Sequence, residues 1–266
     1  MDDKLTIEGI LPYLREKSMA AHMLLYDTID STNTELKRRA AQGAESGTVV
    51  LADAQTSGRG RLGREFYSPA GSGVYFSILL RPEIPAEQLV LFTTAASVVV
   101  CHAIETVTGK SPSVKWVNDL YLDGKKVCGI LTEKQGDAVV IGVGINCTTV
   151  FEGELAKIAG SLSQEGVRCR LAAELVNGFM NIEDSIVGKN FLEEYRRRSL
   201  VLGKEITVLQ EPDSCYFAED IGEQGELILR TQSGEKKILS SGEISIRMIS
   251  ADNLEKNGHT VMMRKE

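Results

Sequence analysis

The middle of the chain constrains its fold most, because strand-like runs follow one another there with almost no linker. Val114 to Val117, Val127 to Glu133 and Ala138 to Ile145 are short and apolar, with Asp123-Gly124 and Gly136-Asp137 as tight turns between them. Thr48 to Ala52 and Val74 to Leu80 read as two further buried strands, the second stopped by Arg81-Pro82. Helices flank this block. Thr32 and Glu35 have capping-box spacing, so a helix starts at Ser31-Thr32 and stops at Gly43. Leu89, Phe92, Ala96, Val99, Ala103 and Val107 recur at helical spacing from Glu87 to Val107, with Pro85 before them and Gly109 after. A helical stretch from about Arg170 to Leu200 closes the domain, whose class is α+β or mixed α/β. After Gly203 the pattern turns to short strands, Glu205 to Gln210, Glu226 to Thr231 and Lys236 to Ile249, with Gly225 and Gly234 at the turns. This suggests a small β-barrel. The expected division is a main domain over 1–202, a barrel over 203–250 and a frayed tail over 251–266.

The 266 residues suit one large and one small domain, and the net charge of −7 argues against a globally basic nucleic-acid-binding surface. Cys101, Cys128, Cys147, Cys169 and Cys215 are scattered and form no Cys-x-x-Cys pair, and the three histidines are dispersed. Reduced thiols in a cytoplasmic protein fit this, and a protein-built zinc site does not. Met1 to Met19 lacks a signal-peptide pattern, and the longest apolar run, Ala95 to Cys101, is too short to span a bilayer.

Gln55-Thr56-Ser57-Gly58-Arg59-Gly60-Arg61-Leu62-Gly63-Arg64 concentrates three arginines in six residues of an acidic chain. Glycine lets the backbone approach an anion, and arginine offers a planar fork to carboxylate or phosphate oxygens. A solvated basic turn is the plain alternative, but such turns seldom alternate glycine and arginine after a buried strand. Gly58, Gly60 and Gly63 also spell G-x-G-x-x-G, with Glu83 twenty residues beyond Gly63. A dinucleotide site needs a helix to open within those glycines, whereas Pro69, Gly71 and Gly73 lead into a strand. The nicotinamide oxidoreductase reading fails there.

Lys115-Trp116-Val117-Asn118-Asp119-Leu120-Tyr121, then Lys125 to Glu133, then Ile141-Gly142-Val143-Gly144-Ile145-Asn146 complete the series. Each alone has a structural explanation: packing for Trp116, a turn for Asp119, a solvated hairpin edge for the lysines. Together, and with Asp30-Ser31-Thr32-Asn33 and Ser241-Gly242-Glu243-Ile244-Ser245, the chain resembles the biotin protein ligases from about Tyr26 to Met248. One departure is Val117, where the family usually has proline. Only 29 residues precede Asp30, so the resemblance is to the monofunctional type, expected to lack a helix-turn-helix domain and DNA binding.

The resemblance implies a mixed-sheet catalytic domain like that of class II aminoacyl-tRNA synthetases, followed by an SH3-like barrel. It implies ATP-dependent formation of biotinyl-adenylate and transfer of biotin to a lysine of a biotin carboxyl carrier protein. Mg²⁺ would accompany ATP, and relatives often form homodimers. The catalytic residues would be Arg59, Arg61, Lys126 and Asp119. The biotin site would comprise Ser31, Thr32, Asn33, Gln55, Gly58, Arg59, Arg61, Lys126, Gly129 and Gly142. The nucleotide site would comprise Arg61, Arg64, Trp116, Asn118, Asp119, Lys126 and Asn146. Lys125 is the rival to Lys126, and helix capping is the rival role for Ser31 and Thr32. The alternatives are a lipoate or octanoate ligase, needing only an apolar tunnel, and a biotin-sensing module without catalysis.

Overall fold

The structure, a computed structural model, describes residues 3–82, 88–240 and 244–246. Pro85, Glu83, Glu87, Ser241-Gly242-Glu243 and the tail over 251–266 lie outside the described residues. The elements of the main domain are, in order, α1 (Ile7–Ile10), β1 (His22–Ile29), α2 (Thr32–Ala41), β2 (Thr48–Gln55), β3 (Gly73–Leu80), α3 (Leu89–Thr108), β4 (Ser113–Lys115), β5 (Asp119–Leu122), β6 (Lys125–Gln135), β7 (Ala138–Asn146), α4 (Leu155–Ile158), α5 (Arg168–Phe179), α6 (Ile182–Gly188) and α7 (Phe191–Arg198). The C-terminal part contributes β8 (Glu205–Val208), β9 (Glu211–Ile221), β10 (Leu227–Arg230), β11 (Lys236–Leu239) and β12 (Ile244–Ile246).

The first sheet runs β1-β2-β3-β7-β6-β5-β4. Only its β1–β2 pair is parallel among the paired strands, which makes the sheet mixed. Period-two alternation sorts its faces. On β7, Val139, Ile141, Val143 and Ile145 join the large core with α3 and α5, while Ala138 and Val140 pack with Leu36 and Ala40 of α2 on the opposite face. Continuing along that second face, the next two positions are Gly142 and Gly144. Removing two side chains just beyond the helix opens a concavity on the sheet, and the site forms there.

Several expectations change. The capping box does not form: Ser31 is the N-cap, with no side-chain capping bond, and the Glu35 carboxylate pairs with Arg38 and Arg39 and accepts from Tyr26. The stretch from Arg170 to Leu200 is three helices, interrupted after Phe179 and again at Lys189, whose φ is 53°. β1, β5 and β9 were not anticipated. The expected single strand from Lys236 is divided into β11 and β12. The expected small C-terminal β-unit is present and, among the described residues, is a five-stranded antiparallel sheet in the order β11-β10-β9-β8-β12. Finally, α3 is long and apolar enough to cross a membrane by length and composition, unlike the shorter run from Ala95 to Cys101. Its threonines, serine and histidine do not dilute it enough, and 67% of its apolar window is buried inside this fold.

Candidate active site

The floor of the concavity is a chain of hydrogen bonds between buried polar side chains. The Ser77 hydroxyl, on β3, lies 2.7 Å from Thr32 Oγ1 and 2.6 Å from Asn33 Oδ1. Gln55 Oε1 accepts from the Thr32 amide at 2.9 Å and from its hydroxyl at 3.2 Å, and Gln55 Nε2 donates to Ser68 Oγ at 2.9 Å. Asn33 Nδ2 donates to the Leu131 carbonyl and to Glu133 Oε2 at 3.1 Å. Ser31, Thr32, Asn33 and Ser77 are all buried. Sheet register explains the gathering: Ser77 pairs with Gly142 and Leu131 with Gly142, so a missing side chain lies between them. A Cβ on Gly142 would come within 2.0 Å of Asn33 Oδ1. Gly129 and Gly144 are likewise paired, and the Phe66 ring lies over them, 2.4 Å from where a Gly144 Cβ would be.

The arginine–glycine loop covers this floor as a short hairpin. Gly60 N–H donates to the Arg64 carbonyl and Phe66 N–H to the Gly58 carbonyl, both at 2.8 Å, and a single turn of 3₁₀ helix spans Arg61–Gly63. No α-helix opens among these glycines, as the rejected dinucleotide reading requires. A Cβ on Gly58 would lie 2.3 Å from the Phe66 carbonyl, so the hairpin closes only around glycine. Arg59 reaches Glu133 Oε1 at 3.1 Å and Arg61 reaches Asn118 Oδ1 at 3.2 Å. Burial works to raise the Glu133 carboxyl, but hydrogen bonds from Lys37 and Asn33 and the nearby charges of Lys37 and Arg59 hold it below the usual carboxylate range.

Two cavities flank the hairpin. The first, about 40 Å³, lies over the polar floor and is bordered by Arg59, Phe66 and Lys126. The second, about 100 Å³, is bordered by Arg61, Arg64, Lys115, Asn118, Asp119 and Lys126. Lys126 therefore stands on the wall between them, and its ammonium is 2.7 Å from Asp119 Oδ1. The Lys115–Asp119 segment is held from behind. Tyr195 and Ser97 hydroxyls donate to the Val117 carbonyl, Asn118 Nδ2 donates to the Ile130 carbonyl, and Trp116 Nε1 donates to Gly225 of the C-terminal unit at 3.0 Å. The Trp116–Val117 peptide is cis.

A polar floor beside a ring of cations is matched by what the chain is similar to. Residues 25–146 match the Biotin/lipoate A/B protein ligase family and residues 201–247 the Biotin protein ligase C terminal domain. The "Bifunctional ligase/repressor BirA" of Bacillus spizizenii is 34% identical over 254 residues, spanning 86% of this chain and 75% of that relative. The "Biotin--[acetyl-CoA-carboxylase] ligase" of Mycobacterium tuberculosis is 33% identical, over 80% of this chain and 85% of its own length. The chain belongs to the biotin protein ligase family. Among solved structures, the biotin protein ligase from Aquifex aeolicus in complex with biotin and ATP has a TM-score of 0.72 at 32% identity, covering 85% of this chain and 98% of that one.

Within this biotin protein ligase fold, most residues singled out in the sequence converge. Ser31, Thr32, Asn33, Gln55, Arg59, Lys126, Gly129 and Gly142 border the first cavity. Arg61, Arg64, Trp116, Asn118, Asp119 and Lys126 border the second. Gly58 sits at the base of the hairpin instead. Asn146 borders neither; it is buried, donates to the Gly160 carbonyl, and leaves its Oδ1 without a partner. Ser77, Ser68, Phe66 and Glu133 were missed. A lone serine inside the apolar run of β3 was the one available signal for Ser77.

Proposed function

We propose that this chain activates biotin with ATP and then transfers it to a lysine of a biotin carboxyl carrier protein. The position of Lys126 between a polar-floored cavity and a cation-lined one carries this reading. A ureido head has donors and acceptors that suit Thr32, Asn33 and Gln55, which border the first cavity, the first two held from behind by Ser77, whereas a lipoyl or octanoyl chain gives those polar groups nothing to bond. Biotin's carboxylate would then lie toward Lys126, with the α-phosphate of ATP on the other side of the same ammonium. Arg61 and Arg64 supply further positive charge, so two anions can approach one another.

In the first step a carboxylate oxygen of biotin attacks the α-phosphorus and pyrophosphate leaves, giving the mixed anhydride. In the second, the carrier amine attacks the acyl carbon and AMP leaves. A free lysine is almost wholly protonated at neutral pH, so Asp119 is assigned to orient the incoming amine and accept its proton. Asp119 and Lys126 are already partners, which supports the carboxylate holding the ammonium in place between the two cavities while the acyl phosphate forms. Among the described residues no group of three or more His, Cys, Asp or Glu could hold a metal ion. Mg²⁺ is therefore proposed to arrive on the triphosphate, bound by phosphate oxygens and water, and no step is routed through it. All five cysteines are free, which supports a reducing, cytoplasmic compartment.

The test combines the chain, biotin, Mg²⁺-ATP and a biotin carboxyl carrier domain. A mass gain of one biotinyl group on one carrier lysine, with AMP released, is expected. Equal transfer of lipoate, or binding of biotin without transfer, would overturn the reading.

A further inference from the structure

The turn over residues 69–73, which joins the hairpin to β3, is held from several directions. Gly71 N–H donates to Asp53 Oδ2 at 3.1 Å, and the Gly73 carbonyl accepts from Arg168 Nε at 2.8 Å. The Pro69 carbonyl accepts from the hydroxyls of Tyr75 and Ser72. The Ser72 carbonyl accepts from Cys147 N–H at 3.0 Å, Thr148 N–H at 2.8 Å and the Thr149 hydroxyl at 3.2 Å. Those last three donors open the segment over 147–159 that follows β7. One turn is thus the common root of the arginine hairpin and of this second segment. The two segments also touch just beyond this root, where the rings of Tyr67 and Phe151 lie 6.1 Å apart.

Arg168 is 1% exposed, and the Asp53 carboxylate 2.5 Å away carries its countercharge. A buried guanidinium is tolerated only when paired and fully hydrogen-bonded, so the pair fixes both side chains firmly. Neither residue borders either cavity. We propose that Asp53 and Arg168 are a positioning pair, clamping the turn so that the hairpin and the 147–159 segment open and close as one unit. The proposal rests on the ligase reading only for the ligands that drive closure.

Hydrogen exchange on the full chain, without ligand, tests the coupling. In Asp53→Asn, amides over both 57–68 and 147–159 should exchange about tenfold faster, the size of one or two lost hydrogen bonds. Amides in the middle of α3 and β9 should stay unchanged, and Asp53→Glu should recover most of the loss. Thr149→Val removes the second segment's hydroxyl contact to Ser72 of the turn and leaves the buried charge pair intact, and it should also speed exchange in the hairpin. In turnover assays, Asp53→Asn should raise KM for biotin and for ATP by similar factors and change kcat less. An unchanged hairpin in Thr149→Val, a uniform rise that includes α3 and β9, or a KM change for one substrate alone would overturn the coupling. Failure of the parent chain to label a carrier sinks the ligase reading instead, while the exchange results still decide this one.

Discussion

The floor of the site and its lid are held by opposite means. On the floor, Thr32, Asn33, Ser77 and Gln55 find hydrogen-bond partners at 2.6–3.2 Å within the protein itself. In the lid, Leu62 is 65% exposed, and Arg59 is tied to Glu133 by an ion pair with its own side chain 45% exposed. A buried, satisfied network fixes one geometry, whereas an exposed ion pair is worth about 0–1 kcal/mol. Recognition of a neutral polar head can therefore be built in advance. Cations cannot wait unpaired in a closed pocket, so they ride on a hairpin and find interim partners, Glu133 for Arg59 and Asn118 for Arg61.

If the cations do the chemistry and the floor does the recognition, variants should separate the two. Lys126→Ala should give the largest effect. It removes charge stabilisation where carboxylate and phosphate meet, about 3 kcal/mol or on the order of a hundredfold in adenylate formation. Arg61→Gly should instead make adenylate and fail to retain it, because Arg61 belongs to the lid. The escaping anhydride would then acylate bystander lysines. Biotin incorporation into an unrelated lysine-rich protein, alongside pyrophosphate release, reads both variants. Normal pyrophosphate release from Lys126→Ala, or bystander labelling by Arg61→Gly no greater than by the parent, would remove the division of labour.

A floor variant should fail in binding alone. Ser77→Ala takes the hydroxyl away from Thr32 and Asn33, leaving buried polar atoms short of a partner at a cost of about 1–3 kcal/mol. Biotin affinity should fall roughly tenfold while ATP affinity holds, as calorimetry with each ligand would report. An equal loss for ATP would mean that floor and cations form one unit.

The same contrast governs what could be read from sequence. The lid and the Lys-Trp-Val-Asn-Asp segment were legible because their chemistry is local, written in neighbouring residues. On the floor, Thr32, Asn33 and Gln55 came only with the family resemblance; the link through Ser77 depends on strand register, and nothing beside Ser77 in the sequence announces Asn33, 44 residues away. Asp53 and Arg168 are further apart still, at 115 residues. Among the elements, β1 (His-Met-Leu-Leu-Tyr-Asp-Thr-Ile) lacks glycine or proline at its start, so it did not stand out. β9 begins Glu211-Pro212-Asp213, which reads as a turn until pairing with β8 and β10 makes it a strand. The capping box failed because the helix starts one residue early, with Ser31 rather than Thr32 as its N-cap, and Glu35 instead pairs with Arg38 and Arg39 of its own helix and accepts from Tyr26.

The smallest effect belongs to the link between the two regions. Glu133 accepts from Asn33 of the floor and from Arg59 of the lid, so it touches both. Its folded pKa is lowered, so the stability it contributes is fully present above the ordinary glutamate value. That contribution is lost as pH falls through the lower folded value. Between pH 5 and 8, about the neutral range, lid exchange corrected for its intrinsic rate should therefore not vary. Glu133→Gln keeps the shape and an acceptor for Asn33 but removes the charge that holds Arg59. A partly exposed pair is worth up to about 1 kcal/mol, so opening should rise about two- to fivefold. The Gly60 amide, which donates to Arg64 within the hairpin, is the reporter. Salt near 1 M should shrink the difference between parent and variant, because screening already weakens the parent's ion pair. If Gly60 exchanges at the parent rate in Glu133→Gln at low salt, backbone bonds alone hold the lid, and Glu133 serves only the floor.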